Sequence, residues 1–91
     1  MPFSGQGFLQ AGQFQDMNCY LQAGITTVID IQSPDFAVFS LQLFDQNINK
    51  VDTDWGLGDA QCQVTPAWSG PFVLRITCHQ GAGRFLLQIF P

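Results

Sequence analysis

Residues 69–90 read SGPFVLRITCHQGAGRFLLQIF, and this stretch decides the fold. Phe72, Leu74, Ile76 and Cys78 hold every second position, with Val73, Arg75 and Thr77 between them. After Gln80-Gly81-Ala82-Gly83 the alternation resumes, with Phe85, Leu87 and Ile89 set against Leu86, Gln88 and Phe90. A period of two is that of a strand buried on one face. The glycines between the two runs permit positive φ and so a tight reversal. The C-terminal part of the chain is therefore two consecutive strands, each with one apolar face.

The same period recurs upstream. Phe39, Leu41 and Leu43 alternate with Val38, Ser40 and Gln42. Ile25, Thr27, Ile29 and Ile31 alternate with Thr26, Val28 and Asp30, and Met17, Cys19 and Leu21 with Asn18, Tyr20 and Gln22. Turn-forming groups separate the runs at Ala23-Gly24, Ser33-Pro34-Asp35, Asp45-Gln46-Asn47 and Ser69-Gly70-Pro71. The chain carries almost no helical signal. Short strands at this spacing predict an all-β fold, an antiparallel β-sandwich of seven or eight strands with its core between two inner faces. At 91 residues and 10.1 kDa there is room for one such core, so residues 1–91 are read as a single domain.

Charge narrows the function classes. Charged residues make up 11% of the chain, against roughly 25% in an ordinary soluble domain. All seven acids are Asp, the only bases are Lys50, Arg75 and Arg84, and the net charge is −4. Gln fills many positions where a surface usually carries charge. Three cations cannot form a phosphate-binding stripe, which argues against a nucleic-acid partner. No apolar run approaches the ~18 residues of a membrane span. The opening MPFSGQG has neither the basic nor the apolar region of a signal peptide, so the compartment stays open.

Five segments together resemble a known family. Gln15 to Gly24 is a polar–apolar strand ending in Ala-Gly, followed by the apolar strand Ile25 to Ile31. Asp35 to Asp45 reads DFAVFSLQLFD, and SGPFVLRI (Ser69 to Ile76) and GRFLLQI (Gly83 to Ile89) close the chain. This grammar resembles the bacterial pre-peptidase C-terminal domain over about residues 15–90, leaving 1–14 as a lead-in. The resemblance implies an eight-stranded, jelly-roll-like sandwich. It also implies a non-catalytic appendage of exported enzymes, associated with secretion, substrate attachment or holding a precursor inactive, and an extracellular setting. Some related members bind calcium. Phe39 stands where the family often carries a second Asp.

Each chemistry-bearing group has a functional and a structural reading. Cys19, Cys62 and Cys78 fall on the apolar phase of their strands, as small buried hydrophobes do, and one disulfide plus a free thiol is the alternative. They lack the spacing of a zinc site or a CxxC motif. His79 follows Cys78 directly, but neighbours on a strand point to opposite faces, so the two cannot share a proton. No nucleophile elbow and no spaced carboxylate pair are present, so no catalytic residue is assigned and the chain is read as no enzyme.

Asp52, Asp54 and Asp59 lie in VDTDWGLGD, where Asp-x-Asp sets two carboxylates on one side of an extended segment and a third follows a Gly-rich bend. Such a loop is a candidate calcium site of irregular type, or simply a solvated acidic loop. No cofactor is required. Trp55 and Trp68 lie in or beside turns, where they form a stacking platform with Tyr20 or cap the ends of the sandwich. Tyr20, Val38, Val73, Leu86 and Phe90 sit on the outer phase, more apolar residues than a monomer's surface needs.

Two functions follow. One is a binding or accessory module that attaches to a protein or polysaccharide surface through Trp55, Trp68 and Tyr20. The other is a structural subunit that assembles with copies of itself through charge-poor apolar outer faces or sheet edges.

Overall fold

Alternating burial is what the described residues show, strand after strand. The computed structural model describes residues 3–35, 37–47 and 49–90; Met1, Pro2, Phe36, Ile48 and Pro91 lie outside the described residues. The strands are β1 (Phe3–Gln10), β2 (Phe14–Leu21), β3 (Thr27–Gln32), β4 (Val38–Phe44), β5 (Lys50–Leu57), β6 (Asp59–Val64), β7 (Gly70–Gln80) and β8 (Ala82–Phe90). They form two four-stranded sheets, ordered β1-β8-β3-β6 and β2-β7-β4-β5, here called sheets A and B. All described strand pairs are antiparallel. This double order is that of a jelly roll. The described residues contain no helix long and apolar enough to cross a membrane.

The inner faces are those the alternation predicts. Ile29 and Ile31 of β3, Phe39, Leu41 and Leu43 of β4, Phe72, Leu74, Ile76 and Cys78 of β7 and Phe85, Leu87 and Ile89 of β8 are buried in one cluster. Phe39 and Phe85 meet edge to face across the two sheets, ring centres 5.8 Å apart. That contact needs Gly7, because a Cβ there would stand 2.6 Å from the Phe85 ring.

The structure adds one element and changes one expectation. The lead-in, residues 1–14, contains a full strand: β1 pairs with β8 from Phe3↔Ile89 to Gln10↔Ala82. Its inner phase carries Gly5 and Gly7, so it shows no apolar alternation. The acidic segment VDTDWGLGD is not a loop but most of β5 and the corner after it, where the chain crosses from β5 in sheet B to β6 in sheet A through Gly58 at φ 83°. Gly56, opposite Phe39, lets this corner close, since a Cβ there would lie 2.5 Å from the Asp59 carbonyl oxygen.

The three cysteines are free; Cys62 and Cys78 are buried and Cys19 is partly exposed. Burial pushes the Cys19 thiol up to about 11. Burial together with nearby Asp52 and Asp54 pushes Cys62 up to about 12.

Candidate functional site

The outer face of sheet B carries the two most exposed aromatic side chains among the described residues, Trp55 and Tyr20. The register places Phe14 of β2, Thr77 of β7, Ser40 of β4 and Trp55 of β5 in one row across the sheet. The next row holds Asp16, Arg75, Gln42 and Thr53, and a third holds Asn18, Val73, Phe44 and Lys50. Trp55 is 70% exposed, Tyr20 68%, Leu57 64% and Phe14 55%. Three inter-strand spacings put Phe14 and Trp55 roughly 14 Å apart, and six residues of β2 put Tyr20 roughly 20 Å from Phe14. The face is therefore broad and elongated rather than a single stacking pocket.

Its centre is organised by one cation. Arg75 Nε and Nη2 donate to the two carboxylate oxygens of Asp16 at 2.8 and 3.0 Å. The guanidinium lies 4.4 Å from the centre of the Phe14 ring and 5.9 Å from that of Phe44. The bidentate bond holds the Asp16 carboxyl below its ordinary value and raises Arg75. The pair neutralises itself and holds Phe14 against the sheet.

At the other side of the face, Ser40 Oγ and His79 Nε2 are 2.8 Å apart, and the Trp55 and His79 rings meet edge to face at 6.3 Å. His79 is exposed and Cys78 buried, as their opposite phases predict. The Ser40–His79 contact joins residues far apart in sequence and needs the topology to be seen. It does not form a catalytic triad: among the described residues no carboxylate is bonded to His79. Ser40 is buried in β4, which is bonded on both sides, so its backbone has no free N–H pair to hold an oxyanion.

The residues singled out from sequence do not converge. Trp55 stands in mid-strand on β5, not in a turn, and shares the sheet B face with Tyr20. Trp68 lies between β6 and β7 and stacks on buried Phe72, centres 6.1 Å apart and planes 15° from parallel, so it closes the end of the core. Phe14, Arg75, His79 and Leu57 are the members of the face that sequence reasoning missed. The signal for Phe14 was present, an aromatic two residues ahead of Asp16 on the same phase.

The aspartates also part company. Asp52 and Asp54 occupy the inner phase of β5, opposite Leu43 and Leu41. Their carboxylates cross the seam between the sheets and accept backbone N–H groups of β6, Asp54 from Gln61 at 2.9 Å and Asp52 from Gln63 at 2.8 Å. Asp52 also accepts the Thr53 N–H at 2.9 Å. Asp59 stands on the outer phase of β6, near Asp30. Among the described residues no group of three or more His, Cys, Asp or Glu side chains gathers as a metal site.

Shallow clefts flank the two ends of the sandwich. One, of about 260 Å³, lies between Tyr20 and Phe90, and a wider one, of about 560 Å³, lies between Leu57 and Leu86.

No family model matches the chain, and no curated protein matches it in sequence. Solved structures match its backbone. Over 97% of this chain and 88% of the other, it superposes on the pre-peptidase C-terminal domain of a collagenase from Bacillus anthracis with a TM-score of 0.80. The fold is that of a pre-peptidase C-terminal domain. The identity between the two is 14%, so the likeness is one of fold. PliG of Aeromonas hydrophila, a periplasmic inhibitor of g-type lysozyme, is similar at TM-score 0.72 and 11% identity, over 97% of this chain and 83% of that one. PirA matches at TM-score 0.52 and 11% identity, over 96% and 91%.

Proposed function

We propose that the protein is a non-catalytic binding module that attaches to a protein or polysaccharide surface through the outer face of sheet B. The observation that carries this reading is the concentration of exposed Phe14, Tyr20, Trp55 and Leu57 on one sheet face. Exposed apolar patches mark interaction sites, and aromatic residues dominate their energetics. The face is flat and long, which suits an extended chain or another surface rather than a pocketed small molecule. Its main ion pair is internal, so the partner needs no net charge to bind. The structural relatives support the reading: one is a domain of a collagenase and the other an inhibitor of a lysozyme, and in both this sandwich accompanies or meets an enzyme.

Retention on immobilised polysaccharides and protein matrices tests it. The wild-type chain is expected to be held by at least one matrix. Trp55→Ala and Phe14→Ala should each weaken that retention about tenfold, the cost of one hot-spot side chain, with an unchanged melting temperature. Trp68→Ala should instead lower stability by about 2 kcal/mol, because it uncovers Phe72. Wild type held by no matrix, or variants held as well as wild type, would sink the reading. A second reading, a self-assembling subunit packed through its outer faces, draws on Phe8, Leu86 and Phe90, which are exposed on sheet A.

A further inference from the structure

The two margins of sheet A are finished differently. Along β6 the Ser33 N–H donates to the Gly58 carbonyl at 2.8 Å, which sets the phase of the β3–β6 ladder. In an antiparallel ladder the bonded residues alternate, so Gln61 and Gln63 direct their N–H groups away from β3. Asp54 and Asp52 accept them. Inward-pointing charge on a neighbouring edge strand is a recognised way to block further pairing.

Along β1 the Ala11 N–H donates to the Gly81 carbonyl at 2.8 Å, continuing the β1–β8 register by one pair. By the same alternation Ser4, Gln6, Phe8 and Gln10 direct their N–H and C=O groups away from β8. Those of Gln10 are used at the turn: its N–H donates to Gln13 Oε1 and its C=O accepts the Gln13 N–H, both at 2.9 Å. Ser4, Gln6 and Phe8 have no such partner among the described residues. The strand Phe3–Gln10 contains no charge and no Pro, and its register with β8 runs without a bulge. Among the described residues, none of the usual devices that blunt an edge is present on β1.

We propose that the β1 edge is a pairing surface for a second copy of this chain, joined antiparallel about a two-fold axis through Gln6. Ser4 then faces the partner subunit's Phe8, and Gln6 faces the partner subunit's Gln6, giving about six main-chain hydrogen bonds. Among the described residues the free groups are symmetric about Gln6, as an isologous contact requires. At a two-fold axis every charge near the axis meets its own image. In a chain of net charge −4, this edge is charge-free. No residue of the sheet B aromatic face lies on β1, so the inference stands apart from the proposed binding surface.

Light scattering and sedimentation from about 10 μM to about 1 mM, the range of weak to moderate affinities, test it on the full chain. The wild type is expected to dimerise. Gln6→Lys places two like charges on the axis, and Gln6→Pro removes an outward N–H without touching the β8 ladder. Each should weaken the dimer at least tenfold while the circular dichroism stays that of β-structure. If Gln6→Pro misfolds, Gln6→Lys carries the test. In a third variant, Gln6→Cys, the paired Cα atoms would stand about 5.5 Å apart, within reach of an intermolecular disulfide. Gln88→Cys, on the same sheet face but away from the edge, should not cross-link. A wild type that is monomeric throughout, one that pairs only with added extended peptides, or a dimer indifferent to Gln6→Lys overturns the proposal.

Discussion

Asp52 is the most heavily used carboxylate on the β5–β6 side. Through one oxygen it holds the Thr53 N–H of its own strand, and through the other the Gln63 N–H of the opposite sheet. Charge-assisted bonds of this kind contribute about 1.5–3 kcal/mol each when sheltered and less at a wet margin. Asp52→Ala should therefore lower the urea unfolding free energy by about 1–2 kcal/mol, and Asp52→Asn by less, since it keeps one oxygen. Asp30 is the opposite case. Its carboxyl is raised by desolvation and by the charge of Asp59. The ionised form thus costs stability at neutral pH, and the cost is relieved as pH falls. Asp30→Asn should stabilise the protein at pH 7, within about 0.5 kcal/mol. The gain should disappear in acid, as a paired melting series at pH 7 and pH 3 would show.

The elements depend on glycine wherever two of them come close. Gly56→Ala drives a Cβ against the Asp59 carbonyl, a backbone atom that has no rotamer in which to retreat. Gly7→Ala meets the tip of the Phe85 ring, which can tilt. Both should destabilise, Gly56→Ala by about 2–3 kcal/mol and Gly7→Ala by less, measured as urea midpoints. These same strands were the hard ones to read from sequence. β3, β4, β7 and β8 announce themselves because every second residue is a large apolar one. β1 and β5 do not, because Gly5, Gly7, Asp52, Asp54 and Gly56 occupy the phase that such residues normally fill. The site was legible to the same degree. Tyr20 was visible as an aromatic out of phase with its strand, whereas Trp55, between Asp54 and Gly56, looked like a loop residue. The Ser40–His79 contact and the Phe14–Arg75 stack depend on which strands become neighbours, and no local spacing encodes that.

At the scale of the whole molecule, acid should be the main chemical threat. Asp16 and Asp35 are held below the ordinary carboxylate value of 3.8 by Arg75 and Arg84. Asp45, buried at the β4–β5 turn, is held down by the backbone N–H and side-chain amide of Asn49 and by the backbone N–H of Asn47. A depressed carboxyl stabilises the fold fully above its unfolded value and loses that contribution as pH falls through its folded one. The melting temperature should therefore be level from pH 7 to about pH 5 and fall below about pH 4. Asp45→Asn should make the fall shallower. A melting temperature independent of pH down to pH 2 would contradict this account.

The seam formed by Asp52 and Asp54 also bears on how far sheet A can grow. Gln-rich, charge-poor sequences favour stacking without end, each molecule templating the next. In sheet A, growth needs two receptive margins, and β6 offers carboxylates where an incoming strand would look for N–H groups. Addition through β1 therefore terminates after one step. Two aspartates act as a stop codon for assembly, written in acceptors.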